Sequence, residues 1–226
     1  MVRHIIFDCF GTLVSTGSGS LDATKKILLD VGAEHDPKVF YKEWKTHKKR
    51  MMAESECFLD EKTWFILSLA EMFRRYRIAA NADTAVYPML DSLFGERKAY
   101  SDVNETLAAF RKMGVDCAIG STTDDDSLSH CLAANGLKFE NVFTSEGMHV
   151  YKPEPAFYET ILRETGWDKA QCLFVGDSYT DDVFGPKRIG MKAALLDREG
   201  KHAADVYDPM PDHIIRSLLE LPALCG

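Results

Sequence analysis

Short apolar segments recur along this chain, and most are separated by segments with helical spacing. Val2–Phe7 is an apolar run that ends at Asp8, a pattern that predicts a buried strand. Beyond residue 100, further strand-like runs alternate with helical segments that commonly end at glycine. These runs are 115–120, 141–144, 172–175 and 193–196. Repeated strand and helix units of this kind predict an α/β fold with a parallel sheet and helices on both faces.

The strand pattern is absent between residues 18 and 95, where the apolar positions follow helical spacing. Helical runs are predicted at 21–31, 38–52 and 60–76, and the second opens with Asp36 as N-cap and Pro37 in the first turn. The predicted organisation is therefore a Rossmann-like core domain at 1–15 and 96–226, interrupted by an all-helical cap domain at 16–95.

Composition narrows the classes of protein that fit this pattern. The chain has 226 residues, 46% of them hydrophobic, and a net charge of −8, so it is too apolar for disorder and too acidic for a general binder of nucleic acid or anionic membranes. No apolar run approaches the roughly 20 residues of a membrane span, and Asp8 and Gly11 interrupt the apolar stretch that a signal peptide needs. Six cysteines without CxxC spacing indicate neither a disulfide framework nor a zinc site. We expect a cytoplasmic protein, monomeric or homodimeric, with a small-molecule substrate.

The negative charge belongs to the predicted core. Segment 16–95 contains 12 basic and 12 acidic residues, whereas the rest of the chain contains 15 basic and 23 acidic ones. Ligands of open α/β sheets bind beyond the carboxyl ends of the strands. The excess acidity therefore lies in the part of the chain that would carry the ligand-binding loops.

Polar side chains follow four of the apolar segments. They are Asp8, Ser121, Lys152 and the group Asp177, Asp181 and Asp182. Any one of these residues alone is typical of a helix N-cap or a turn. Carboxylates gathered at adjacent strand ends, however, repel one another unless a cation lies among them, and Mg²⁺ prefers such oxygen ligands. A carboxylate nucleophile, a divalent metal, a lysine and a hydroxyl indicate phosphoryl transfer.

In this order, the segments around these residues resemble the four motifs of the haloacid dehalogenase superfamily of hydrolases. The matching segments are 5–14, Ser121, 150–158 and 175–182. The resemblance implies that Asp8 is the nucleophile, and that the Phe10 carbonyl, Asp177 and Asp182 join Asp8 around Mg²⁺. It also implies that Ser121 and Lys152 hold the phosphoryl group. Thr12, Thr122 and Lys45 are further candidates for substrate binding.

Phe10 departs from the pattern of the phosphatases in this superfamily. Those enzymes have a second aspartate at this position, which acts as general acid and then as general base. A phenyl ring transfers no proton, and the loss of general acid–base catalysis typically costs on the order of 10²–10⁴ in rate. Metal binding is unaffected, since this position contributes its carbonyl. The resemblance thus implies a phosphatase that is weakened toward alkyl phosphates.

The 2-haloacid dehalogenases are the alternative within the superfamily. They have an aromatic residue at the position of Phe10, and Tyr158 also fits their pattern. They use no metal, however, and have an arginine in the cap where this chain has Lys45, which is a weak substitute for a guanidinium that grips a carboxylate. They also have asparagine at the position of Thr122 and uncharged residues in the fourth motif, where this chain keeps Asp177. We favour the Mg²⁺-dependent phosphatase. A metal-independent dehalogenase using Asp8 and a catalytically weak regulatory protein remain as alternatives.

Overall fold

The computed structural model describes residues 1–200 and 206–225. Within them, one sheet contains six parallel strands in the order β3-β2-β1-β4-β5-β6. The strands are β1 His4–Phe7, β2 Asp116–Ser121, β3 Asn141–Thr144, β4 Cys172–Gly176, β5 Lys192–Leu196 and β6 His213–Ile215. The predicted parallel α/β sheet is confirmed. The sixth strand was not predicted, because three residues carry too little apolar pattern to indicate one.

Helices connect these strands and fill the long segment after β1. The α-helices are α1 Gly19–Asp30, α2 Pro37–Glu54, α3 Glu61–Tyr76, α4 Ala82–Ala85, α5 Tyr87–Leu93, α6 Val103–Met113, α7 Asp125–Ala134, α8 Ser145–Met148, α9 Pro155–Thr165 and α10 Gly185–Arg188. Short 3₁₀ segments lie at Lys169–Gln171 and Leu218–Leu224, and a π-helical turn spans Tyr179–Phe184. In the part of the chain that the structure describes, no helix combines the length and the apolar character needed to cross a membrane.

The order in which strands are added to the sheet changes direction at β1, which is central in the sheet. β1 pairs with β2 on one side and with β4 on the other, so that Phe7 lies beside Ile119 and Val175. Right-handed crossovers from such a strand place helices on opposite faces of the sheet. They also leave a crevice at the carboxyl end of the strand, where ligands bind in open α/β folds.

Two compact units emerge from the chain. The first, here called the α/β unit, comprises Met1–Ser15, Lys98–Thr122 and Leu132–Gly226. The second, the helical unit, comprises Thr16–Arg97 and Thr123–Cys131. The sequence pattern places residues 123–131 in the core domain. They cluster with the helical unit because the Asp124 carboxylate accepts hydrogen bonds from the backbone amides of Glu61 and Lys62 at the start of α3.

Each unit has its own apolar core. In the α/β unit, Ile6 and Phe174 from the sheet pack with Phe157 and Ile161 of α9. In the helical unit, Trp44 of α2 is buried in a cluster of apolar side chains, and its indole N–H donates to Ser68 Oγ of α3 at 2.8 Å. The hydrogen bond satisfies the one polar atom of this large buried side chain.

The helix start predicted at Asp36 and Pro37 is confirmed, and α3 begins in a similar way after Asp60. Asp36 accepts hydrogen bonds from the amides of Lys38 and Val39, and Asp60 accepts one from the amide of Thr63. In both cases a carboxylate satisfies amides that have no partner within the first turn of a helix.

Candidate functional site

A cavity of about 160 Å³ opens at the carboxyl edge of the sheet, within the α/β unit. Four of the side chains that line it lie at the carboxyl end of β2 or directly after β1, β2 and β4: Asp8, Ser121, Thr122 and Asp177. The other lining residues are Phe10, Lys152, Ser178, Asp181 and Asp182. The cavity thus contains most of the residues that the sequence analysis singled out, and its size suits a small anionic group.

The turn after β1 determines where Asp8 points. The amide of Asp8 still donates to Val175 O at 2.9 Å, so the residue continues the pairing of β1 with β4. Beyond it the chain turns back, and the amides of Leu13 and Val14 both donate to Cys9 O. Gly11 has a φ of +96°, and a Cβ at this position would overlap the carboxylate of Asp177. Glycine therefore allows both the backbone conformation and the close approach of this turn to Asp177.

The π-helical turn after β4 carries the second group of carboxylates. Asp182 is 1% exposed, and its Oδ2 accepts the backbone N–H of Ser178 at 2.9 Å. A Cβ on Gly176 would overlap the Asp182 carboxylate, so the last residue of β4 has to be small. Asp177 reaches the surface, and the buried hydroxyl of Thr12 contacts its Oδ1 at 3.5 Å. π-Helical turns are rare and often occur at functional sites.

Lys152 lies between two of the carboxylates. Its Nζ donates to Asp8 Oδ1 at 2.9 Å and to Asp182 Oδ1 at 2.8 Å. The side chains of Lys152 and Asp182 are each 1% exposed, and that of Asp8 is 11% exposed. A buried ammonium with two carboxylate partners keeps its charge, and the neighbouring Asp182 and Asp8 raise the pKa of Lys152 although burial acts to lower it.

The carboxylates nevertheless outnumber the cations at this point. Burial raises the pKa of Asp8, the opposing attraction of Lys152 reduces the effect, and the charge of Asp177 adds to it. Burial raises the pKa of Asp182 to about 7, again against the attraction of Lys152. Removal from bulk water, and then the charge of Asp182, raise the pKa of Asp177, although this side chain reaches the surface. One ammonium therefore leaves negative charge uncompensated among three carboxylates.

These carboxylates fit a hard divalent cation. Asp8, Asp177 and Asp182 each offer an oxygen, and the three oxygens lie within 4.8 Å of one another. Mg²⁺ binds oxygen ligands at 2.0–2.1 Å, so oxygens of one coordination shell lie roughly 3–4 Å apart and small side-chain adjustments suffice here. A cation in this position would also relieve the repulsion that raises the three pKa values.

The other predicted site residues occupy different positions. Phe10 lines the cavity, beside the carboxylates. Ser121 is buried at the end of β2, and next to it the Thr122 Oγ1 is buried without a hydrogen-bond partner in the described part of the chain. Thr12 is not among the residues that line the cavity; its side chain is fully buried, and its hydroxyl contacts Asp177. Lys45 is exposed on α2 of the helical unit.

Three features near the cavity were not assigned a function from the sequence. Ser178 and Asp181 line the cavity, and the Ser178 Oγ contacts Asp181 Oδ2 at 3.1 Å. The Tyr158 hydroxyl donates to the carbonyl of Asp181. Arg198 donates to the carbonyl of Thr12 at 2.9 Å. Arg198 follows β5 at the same edge of the sheet, and its position after an apolar run was the available signal.

Residues 2–190 match the family model described as haloacid dehalogenase-like hydrolase. The match includes the helical segment after β1 and the α/β unit as far as residue 190. The chain therefore belongs to the haloacid dehalogenase-like hydrolase family.

Individual relatives have different activities. The chain is 25% identical over 229 residues to the (S)-2-haloacid dehalogenase 4A of Burkholderia cepacia. This alignment covers 97% of this chain and 93% of that protein. It is 26% identical to the glyceraldehyde 3-phosphate phosphatase of Methanopyrus kandleri, over 89% of this chain and 86% of that protein. A match to haloacid dehalogenase-like hydrolase domain-containing protein 3 of Danio rerio has 33% identity over 56% of this chain, which spans about half (52%) of that protein's length. Relatives thus include both dehalogenases and phosphatases.

Solved structures share the fold. The putative hydrolase YfnB of Bacillus subtilis, solved bound to magnesium, superposes with a TM-score of 0.81 over 99% of this chain and 98% of its own, at 17% sequence identity. The likeness extends along nearly the whole chain, and at this level of identity it concerns the fold.

Proposed function

We propose that the protein is a Mg²⁺-dependent phosphatase that acts on a small phosphorylated molecule through an aspartyl-phosphate at Asp8. The observation that carries the proposal is the presence of three carboxylates, those of Asp8, Asp177 and Asp182, around one lysine. A reaction without metal would gain nothing from Asp177, whose charge raises the pKa of the Asp8 nucleophile. A reaction with Mg²⁺ uses all three carboxylates.

Different residues of the cavity have different roles in phosphoryl transfer. An oxygen of the Asp8 carboxylate forms a bond to phosphorus, and the bond from phosphorus to the leaving oxygen breaks, with its electron pair going to that oxygen. Two of the three Lys152 ammonium donors contact Asp8 and Asp182, so the third is left for a phosphoryl oxygen. The hydroxyls of Ser121 and Thr122 supply further donors at the wall of the cavity. Water then attacks the phosphorus of the aspartyl-phosphate, which releases phosphate and regenerates Asp8.

A divalent cation supplies charge neutralisation for the phosphoryl oxygens when it is bound. Asp8, Asp177 and Asp182 would hold it with the carbonyl of Phe10. The contact with Lys152 and the turn at Gly11 orient the Asp8 carboxylate.

Phe10 sets the preference for leaving groups. The side chain of Phe10 has no proton to give to the departing oxygen. Substrates whose leaving groups depart without protonation, such as aryl and acyl phosphates, should therefore react faster than alkyl phosphates.

A panel of phosphates tests the proposal. We expect purified protein to release phosphate from p-nitrophenyl phosphate and acetyl phosphate with Mg²⁺, and much less from sugar phosphates. EDTA and Asp8→Asn should each abolish the release. Equal turnover of sugar phosphates and p-nitrophenyl phosphate would show that Phe10 does not limit the reaction.

Phe10→Asp and Phe10→Asn form a matched pair, because their side chains have nearly the same shape and only the first can transfer a proton. We expect Phe10→Asp to raise turnover of sugar phosphates by on the order of 10²-fold or more, within the range of general acid–base catalysis. Phe10→Asn should not raise it. A similar gain in both variants would mean that space, and not proton transfer, is limiting.

A metal-independent 2-haloacid dehalogenase is the second candidate, favoured by the aromatic residue at position 10 and by the similarity to the Burkholderia enzyme. In that reaction an Asp8 oxygen would displace halide from carbon, and water would then hydrolyse the ester. Halide release from 2-chloropropionate that EDTA leaves unchanged would establish this activity and refute the phosphatase. A protein that turns over neither class of substrate, yet melts at a higher temperature with Mg²⁺, would be the weak regulatory member.

A further inference from the structure

Arg198, just beyond β5, makes a set of contacts that fixes its guanidinium. Its Nη1 and Nη2 donate to the two carboxylate oxygens of Asp102, at 2.8 and 3.1 Å. Nη2 also donates to the backbone carbonyl of Thr12 at 2.9 Å. The guanidinium carbon lies 4.0 Å from the centre of the Tyr100 ring. A planar fork held by two carboxylate oxygens and an aromatic face has little freedom to move.

Asp102 is in turn held by residues near the C-terminal 3₁₀ segment. Its Oδ2 accepts the Ser217 hydroxyl and the Leu218 amide, each at 2.9 Å. Asp102 is 7% exposed, and the C-terminal 3₁₀ segment that provides these donors begins with a capping box of Ser217 and Glu220. Arg198 is therefore anchored to a part of the chain that lies outside the four sequence motifs.

The carbonyl that Arg198 holds belongs to the turn after β1. Thr12 is fully buried, and its hydroxyl contacts Asp177. The same turn carries Asp8 at its start, and Gly11 packs directly against the Asp177 carboxylate. A shift of the Thr12 peptide would move this turn against Asp177 and would change the direction in which Asp8 points.

We infer that Arg198 is a positioning residue for the reaction at Asp8: its contact with the Thr12 carbonyl holds the turn from Asp8 to Val14 in the reactive geometry. Asp102 neutralises the charge of Arg198, so the role is geometric and does not consist of an electric field at the cavity. Misplacement of reacting groups by about 1 Å can cost about 10²-fold in rate, which is the size of effect open to such a contact. The measurement of activity rests on the proposed function, whereas the contacts of Arg198 with Thr12 and Asp102 do not depend on it.

Arg198→Lys is the most informative variant, because it keeps the charge but cannot reach Thr12 and both oxygens of Asp102 together. We expect kcat to fall by about 10- to 100-fold with little change in KM, since the substrate contacts are retained. The pH dependence of kcat should keep its shape. Amides of the turn, such as those of Leu13 and Val14, should exchange with deuterium faster than in the wild type.

Two further variants separate positioning from folding. Arg163→Lys is the matched control, because Arg163 is exposed and contacts Glu164 and Thr160 only at the surface. It should leave kcat and exchange unchanged. In Arg198→Ala, guanidinium chloride at concentrations well below those that unfold the protein should restore part of kcat. Recovery of this kind is expected of a missing guanidinium and not of a generally weakened fold.

The outcomes distinguish this inference from the proposed function. If the wild type releases halide without metal, the phosphatase is refuted, and the same kcat comparison on the haloacid tests Arg198. If the wild type turns over neither substrate, the comparison of amide exchange in the turn between the wild type and Arg198→Lys tests the role of Arg198. An unchanged kcat in Arg198→Lys would overturn the inference. If the wild type is inactive, unchanged amide hydrogen exchange of the turn in Arg198→Lys would overturn it. A lower melting temperature with unchanged kcat would make Arg198 a purely structural residue.

Discussion

Two carboxylate centres lie in the α/β unit, and their charges are balanced in opposite ways. At Asp102, burial is outweighed by hydrogen bonds from Arg198, Ser217 and the Leu218 amide, and the pKa falls below its ordinary value. At the cavity, burial outweighs the attraction of Lys152, and the pKa of Asp182 rises to about 7. The same residue type is thus stabilised as an anion in one place and destabilised in the other.

We infer from this difference that the Asp102 centre serves folding and that the cavity serves a ligand. A buried carboxylate with a full set of donors stabilises the structure that holds it. Carboxylates that repel one another reduce stability, and such arrangements persist where binding or catalysis requires them. Removal of charge at the cavity should therefore cost activity and not stability, whereas removal of charge at Asp102 should first of all cost stability.

Asp8→Asn should show the largest effect on activity. Loss of the proposed nucleophile should reduce kcat by on the order of 10⁴-fold or more, the effect expected when a group that forms a covalent intermediate is removed. The melting temperature should stay the same or rise, because a raised pKa means that the folded state disfavours this charge. Activity assays and thermal melting in EDTA measure the two effects. Asp30→Asn, which affects an exposed pair with Lys26, is the control. A large loss of stability in Asp8→Asn would contradict the comparison.

Mg²⁺ should convert the repelling cluster into a stabilised one. A ligand that binds only the folded state at 100 times its dissociation constant adds about 2.7 kcal/mol to the free energy of unfolding. Asp177→Asn should lose most of this gain, since it removes one of the three oxygen ligands. Asp181→Asn, in the π-helical turn but outside that cluster, should keep it. Denaturant titrations with and without Mg²⁺ measure the gain, and an equal gain in both variants would place the metal elsewhere.

The cavity was largely predictable from the sequence, for a physical reason. Parallel strands end at one edge of the sheet, so Asp8, Ser121 and Asp177 could be placed together from the apolar runs that precede them. Lys152 was placed with them on the same ground, although no strand ends directly before it. The role of Thr12 was predicted less well, since the residue next to a cavity can face into the protein.

The Asp102 centre could not be predicted from the sequence. Asp102 and Arg198 are 96 positions apart, and each is an ordinary residue at the start of a helix or the end of a strand. Their pairing depends on how the C-terminal segment packs, and no local pattern encodes that. The placement of residues 123–131 differed for a similar reason, because the Asp124 carboxylate accepts hydrogen bonds from amides of α3 that are far from it in the sequence.

Asp102→Asn should lower stability by about 1.5–3 kcal/mol, the range for hydrogen bonds to a charged group. The amide nitrogen cannot accept from Arg198, Ser217 or Leu218, and the guanidinium loses its counter-charge. Ser217→Ala removes one donor and should cost about 1 kcal/mol. Urea denaturation measures both losses, and Asp30→Asn again serves as the surface control, with an expected change near zero. Equal stability of Asp102→Asn and the wild type would mean that the centre contributes nothing to folding.

The pH dependence of stability should have opposite signs at the two centres. In metal-free protein the pKa of Asp182 is about 7, against an ordinary value near 4. The contribution of Asp182 to the free energy of unfolding is therefore fully present below about pH 4 and is lost as the pH rises through 7. The free energy of unfolding then falls by at most about 1.4 kcal/mol per pH unit for one proton. The pKa of Asp102 is lowered, so its contribution is present above about pH 4 and is lost as the pH falls further.

Urea denaturation in EDTA across this range separates the two slopes. Asp182→Asn should flatten the decline between about pH 4 and 7, and Asp102→Asn should flatten the decline below about pH 4. Addition of Mg²⁺ should remove the first slope in the wild type, because a bound cation keeps the carboxylates ionised in the folded state, and should leave the second unchanged. If Mg²⁺ altered both slopes equally, it would act on the protein as a whole. The contrast between the repelling carboxylates of the cavity and the fully hydrogen-bonded carboxylate of Asp102 would then not hold.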